Sequence, residues 1–309
     1  MTVTGPPATV MAGHKAPRKL SKAERRAAEA KTRLTSPWAS GIAVVIAILW
    51  TIPTFGIALS SIRPQGSIQS SGWWTWFTNP EATLSNYEEV LFGSSTAFST
   101  FFINSLTITL PAVFIPVTLA LLAAYAFAWI EFKGRDFLFV AVFALQIVPL
   151  QIALIPLLSE YVNWGFAGSF WAVWISHSIF ALPLAIFLLH NFMKDIPRSL
   201  IEAARVDGAG HVKIFFRVLL PLLVPAIAAF GIFQFLWVWN DLLVALTMVG
   251  GTPNVAPLTV RLAELVGSRG ADWHLLTAGS VVAIVVPMIV FLALQRYFVR
   301  GLLAGGVKG

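Results

Sequence analysis

The sequence contains no cysteine, so neither a disulfide framework nor a thiolate metal site is available to it. Charge is nearly as scarce. Only 11% of the 309 residues are Asp, Glu, Lys or Arg, against about 25% in an ordinary soluble domain. No Gly-Lys pair occurs, which removes the usual phosphate loop and ATP hydrolysis by that route. There is no His-Glu-x-x-His, no pair of aspartates within the apolar runs and no nucleophile elbow, so the chain does not read as an enzyme. The His and acidic residues are scattered without metal-ligand spacing, and no bound metal is expected.

What the chain has instead is long apolar runs. Hydrophobic residues make up 57% and mean hydropathy is +0.79. About 20 apolar residues cross a bilayer core, and six runs qualify: 38–62, 101–130, 137–158, 169–189, 214–239 and 275–298. The fold class is therefore all-α, a polytopic membrane protein with six transmembrane helices. The stretch 90–130 is too long for one span, so its first part lies outside. The uncharged tract 242–260 is broken by Gly250, Gly251, Thr252, Pro253 and Asn254, which favours a loop or re-entrant segment over a seventh span. The first run follows a basic stretch, as a signal peptide would, but exceeds the roughly 7–15 residues of a signal core. It reads as a retained span.

Placement decides what the formal charge of +7 means. With both termini on one side, eighteen of the twenty-one Lys and Arg share that side; only Arg63, Arg261 and Arg269 lie opposite. The eighteen are expected to face the cytoplasm. Nucleic acid is not an expected partner. Residues 1–37 form a basic arm, in which 21–33 suits a short helix and a solvated tail near anionic lipid. Residues 38–300 form the membrane domain and 301–309 a cytoplasmic tail.

One polar interruption, 196–213, stands between the fourth and fifth runs. Pro197 suits a helix's first turn, and Ser199 with Glu202 three residues on reads as a capping box. Gly208 permits a left-handed turn. A second helical stretch, 212–218, then feeds the next span, where Pro221 and Pro225 allow a bend. The expected result is a helix–turn–helix lying on the membrane surface. Asp207 suits either a local cap or a partner contact.

Glu202-Ala203-Ala204, then Asp207-Gly208-Ala209, then Leu220-Pro221, resemble in order and spacing the EAA loop of binding-protein-dependent ABC importer permeases. The resemblance implies the type I permease fold, with Glu202 docking against a basic residue of a cytoplasmic ATPase. The small Ala203 and Ala204 would let the helix sink into a cleft. It also implies a second homologous permease subunit, two ATPase subunits carrying the ATP and Mg, an extracellular sugar-binding protein and a bacterial cytoplasmic membrane. The chain itself would bind no cofactor. The closing run 294–309 looks like the tail of MalG-type sugar permeases, which implies a flexible strand, with Gly305, Gly306 and Lys308, entering the ATPase interface. Residues 50–55, 71–74 and 267–273 look most like α-glucoside permeases. An importer for another solute class shares the coupling loop, while a proton-coupled carrier needs a buried relay that Asp241 alone does not supply.

Among polar residues near membrane depth, Gln146 and Gln151 bracket Pro149, and Gln234 lies in the fifth run. Amides there bond sugar hydroxyls or join helices, the second use being the commoner. Asn240 and Asp241 close the fifth run, where Asp241 suits either a helix cap or the translocation path. Gln146, Gln151, Asn240 and Asp241 are the candidate path residues. Trp237 and Trp239 read as interface anchors, His177 as a packed, hydrogen-bonded imidazole, and Asn104 carries little signal. In the outer segment 250–272, Thr252, Pro253 and Asn254 are the candidate contacts with the binding protein.

Overall fold

The computed structural model describes residues 37–93 and 98–306, with side chains as far as residue 295. The basic arm, including the helix expected at 21–33, lies outside the described residues. The chain divides into two compact units at Phe55 and Gly56. Helix α1, Pro37–Ser61, runs through that division and carries Pro53. Among the described residues there is no strand.

Three short pieces follow: α2 (Gln65–Ser70), a 3-10 turn (Trp73–Phe77) and α3 (Ser85–Phe92). Buried Arg63 holds them together, with Nη2 donating to Ser71 Oγ at 2.7 Å and to Ser67 O at 3.1 Å. The second span is α4, Phe98–Trp129. Residues 90–92, the start of the long run, belong to the short helix α3 instead. The fourth span is α7, Phe170–Lys194, and the last helix is α13, Trp273–Gly306.

The third run does not form one helix. It comprises α5 (Arg135–Ala144), a 3-10 turn (Leu145–Ile147) and α6 (Leu150–Asn163), bent by 100°. Pro149 explains the break: it has no N–H, and its ring disfavours helix at the residue before it. Val148 accordingly sits at φ −71°, ψ 119°. Five helices are long and apolar enough to cross a membrane, six with this bent pair as one span, among the described residues.

The fifth span begins as α9 (His211–Ile214), widens into a π turn (Phe215–Leu219) and continues as α10 (Leu220–Trp239). The irregularity precedes Pro221. A proline inside a helix removes one bond and crowds the carbonyl four residues back, here that of Arg217 within the π turn. The tract 242–260 is not a seventh span. It holds α11 (Leu243–Val249) and the start of α12 (Leu258–Val266). Seven residues rise about 10 Å, a third of the roughly 30 Å hydrocarbon thickness.

Small residues bring α4 and α7 together. Ala120, Ala124, Ala181 and Ala185 are all buried in one apolar cluster, which lets the backbones approach and gain close packing that lipid cannot supply. Gly279 does the same for α13, because a Cβ there would lie 2.7 Å from the Phe98 ring. Polar side chains join the helices further. Gln234 Nε2 donates to Ala112 O at 3.1 Å, and Trp174 Nε1 to Thr107 O at 2.9 Å. Such bonds average about 0.6 kcal/mol between membrane helices. Gln234 is thus helix glue.

Candidate functional site

The polar interruption folds as α8, Arg198–Val206. Pro197, at φ −58° and ψ 129°, stands before the helix rather than in its first turn. Ser199 is consequently already inside the helix, and no side chain caps its start, so the Ser199–Glu202 capping box does not form. The C-terminus is better made. Gly208, at φ +75°, takes the left-handed conformation. Its N–H donates to Arg205 O at 2.9 Å, and Ala209 N–H donates to Ala204 O at 2.9 Å. These two bonds are the Schellman pattern that closes a helix.

The periodicity of α8 divides its faces. Ile201 is 2% exposed and anchors the helix into the α4–α7 cluster, with Ala204 partly buried beside it. Glu202 and Ala203 point the other way and are exposed, as are Asp207 and Gly208. Val206 is 87% exposed, an apolar side chain left bare at the turn. Glu202 makes no ion pair, and Asp207 caps nothing, among the described residues. The segment is fixed from behind by Tyr125 of α4, whose hydroxyl lies 2.6 Å from His211 Nδ1. From His211 to Trp239 the chain is one helical rod.

A second site opens at the break in the third span. A cavity of about 610 Å³ is lined by Gln146, Gln151, Phe180, Trp237 and Asp241, among others. Three of the four expected path residues thus meet. Asn240 does not join them, because its Nδ2 turns back to Leu236 O at 2.7 Å. Asp241 does two things at once. It lines the cavity, and its carboxylate accepts the N–H groups of Val244 (3.2 Å) and Ala245 (2.9 Å) at the start of α11. Its backbone carbonyl accepts the Thr259 hydroxyl of α12.

On the same side as α11, the loop before α12 is held rigidly. Asn104 Nδ2 donates to Pro253 O (2.9 Å) and Ala256 O (3.0 Å), while Ser105 Oγ accepts Leu258 N–H at 2.8 Å. Thr252, Pro253 and Asn254 remain exposed on this braced loop. No group of three or more His, Asp or Glu suited to a metal occurs among the described residues.

Comparison with known proteins decides the family. Residues 116–303 match the family described as binding-protein-dependent transport system inner membrane component. The chain belongs to this family. The permease is 55% identical over 269 residues to the osmoprotective compounds uptake permease protein GgtD of Synechocystis sp., covering 86% of this chain and 90% of that one. It is 50% identical over 256 residues to the alpha-glucoside transport system permease protein AglG of Rhizobium meliloti, covering 81% and 67%. Among solved structures, a bacterial ABC transporter that imports the acidic polysaccharide alginate superposes with a TM-score of 0.71 at 20% identity, over 91% of the permease and all of the matched chain. That likeness establishes the type I importer fold.

Several expectations for the permease need correction. Trp239 is no interface anchor: it is 3% exposed and its Nε1 donates to Ala283 O of α13 at 3.0 Å. Trp237 is no anchor either, because it lines the cavity and stands edge-on to His177, with centroids 5.2 Å apart. His177 is packed as expected but not hydrogen-bonded; both ring nitrogens lack a partner of good geometry. The backbone at 301–306 is helix rather than an extended strand, consistent with the helix formers Leu302, Leu303 and Ala304. Gly305 and Gly306 lie within that helix, and Lys308 lies outside the described residues.

Sequence reasoning missed Asn104, Ser105, Tyr125 and His177 as organising residues. Each meets its partner across a long sequence separation, and no local pattern marks such a pair.

Proposed function

We propose that this chain is one of two membrane-spanning halves of an ATP-driven importer for a small sugar of the α-glucoside class. It sits in the bacterial cytoplasmic membrane with both termini in the cytoplasm. It works beside a second, homologous permease, two ATPase subunits that carry ATP and Mg, and an extracellular sugar-binding protein. The observation that carries this reading is the exposed face of α8: Glu202 and Ala203 bare, Glu202 without an ion pair, and the helix closed by Gly208. Short, rigid and anchored through Ile201 and Tyr125, it suits a cleft on a nucleotide-binding subunit.

In the proposed cycle the cavity faces inward at rest. When ATP draws the two motor subunits together, α8 moves with them and the path opens outward to the docked binding protein. Thr252, Pro253 and Asn254 are proposed to touch that protein, and Gly305, Gly306 and Lys308 the ATPase. Identity to AglG supports the α-glucoside cargo. Identity to GgtD supports a second reading, an osmoprotective solute carried by the same machinery.

The test is reconstitution of the four-part importer in proteoliposomes. The expected result is ATP-dependent uptake that requires the binding protein, together with cross-linking of a Glu202→Cys variant to the ATPase during turnover. Uptake without any ATPase would overturn it.

A further inference from the structure

The cavity at the break in the third span contains hydrogen-bonding groups that the chain itself leaves unused. Gln146 and Gln151 lie on either side of Val148 and Pro149, both exposed, and neither amide bonds to any described residue. Each amide offers two donor hydrogens and two acceptor lone pairs. Trp237 of α10 also lines the cavity; its indole is partly buried and its N–H has no partner among the described residues. Polar groups at membrane depth are tolerated where they line a water-filled path or meet a ligand. A proline-broken span beside a cavity is where transporters of several folds place their solutes.

The charge of the wall narrows the ligand. Among the described residues Asp241 is the one ionisable group lining the cavity, and each of its carboxylate oxygens already accepts one backbone N–H, from Val244 or Ala245. No Lys, Arg or His lines the cavity among the described residues, so nothing there would neutralise an anionic solute. Neutral amides, an indole and the Phe180 ring instead match a sugar ring, which carries hydroxyls at its edge and C–H groups on its faces. The volume, about 610 Å³, falls within the roughly 300–1,000 Å³ usual for small-molecule sites.

We propose that this subunit itself holds one neutral glycosyl ring at the break, with Gln146 and Gln151 bonding its hydroxyls and Trp237 packing against it. The proposal rests on the importer reading above and assigns a solute subsite to this half of the permease pair. Trp237 is kept in place from behind: His177 is fully buried, edge-on to the indole, and 3.5 Å from Asp241.

The test uses the assembled importer purified in nanodiscs, without binding protein, and measures saturable binding of radiolabelled maltose, sucrose and trehalose. Binding-protein-stimulated ATP hydrolysis is measured on the same preparations as the readout of assembly and coupling. Gln146→Leu with Gln151→Leu, and separately Trp237→Leu, are expected to raise Kd at least tenfold while stimulated hydrolysis persists. Gln146→Asn, Gln151→Asn and Trp237→Phe should recover part of the binding, and a hundredfold excess of glycine betaine should not compete. Wild-type Kd in the double amide variant overturns the subsite, as does the absence of saturable binding of all three sugars to the unaltered complex. In both cases stimulated hydrolysis would leave the importer reading standing. Loss of that stimulation in the unaltered complex would remove the importer reading, and this one with it.

Discussion

His177 Nε2 of α7 lies 3.5 Å from Asp241 Oδ2, just beyond the end of α10. The imidazole is fully buried, and the carboxylate it faces caps α11. The Asp241 side chain therefore connects the wall of the cavity, the fourth span and α11.

Replacing Asp241 by Ala removes both cap bonds to α11. Loss of such a cap costs about 0.5–2 kcal/mol, so the purified permease complex should unfold at a temperature lower by a few degrees. An unchanged unfolding temperature would show that α11 does not depend on this carboxylate.

Glu202→Lys reverses the charge on the exposed face of α8, where no ion pair is lost among the described residues. Its effect on stability should stay within about 0.5 kcal/mol, and membrane insertion should be normal. Uptake should fall to background, with ATP hydrolysis no longer stimulated by the binding protein. Wild-type uptake by this variant would remove the coupling role.

Gly208 adopts φ +75° at the end of α8. A β-branched residue there costs roughly 1–2 kcal/mol of backbone strain, so Gly208→Val should reduce uptake severely while expression persists. Gly208→Asn, which tolerates this conformation, should retain most activity. Equal uptake by the two variants would contradict the argument.

Asn104→Leu withdraws the donor from two carbonyls, those of Pro253 and Ala256. A buried polar group left without a partner costs about 1–3 kcal/mol. Hydrogen exchange at residues 250–257 should accelerate at least tenfold, with little change around α8. Unaltered exchange in that loop would mean that Asn104 does not brace it.

Hydropathy located the spans and their order, because each needs only length and apolar composition. The surface helix α8 and its closing turn are legible too, since Glu202, Gly208 and their neighbours are local in the chain. The break in the third span was not. Leu145, Gln146, Ile147 and Val148 carry no charge and read as part of one uncharged span, and Pro149 is the sole local sign of a break. Ser199 fails for a related reason: a capping box depends on which residue opens the helix, and the cap position falls on Pro197, two positions before Ser199. The cavity was half legible. Gln146, Gln151 and Asp241 stand out as isolated polar residues, but Trp237 and His177 acquire meaning only once α7 and α10 are packed.

The rod from His211 to Trp239 has a consequence of its own. At about 1.5 Å per residue, its 29 residues reach some 44 Å, and no loop interrupts them. If a motor subunit drives the segment around Gly210, as proposed, this rod would carry the motion toward Trp237, and the widened coil at Phe215–Leu219, with Pro221 and Pro225 after it, is where the rod would bend. Regularising that coil would stiffen the rod while leaving both of its ends chemically intact.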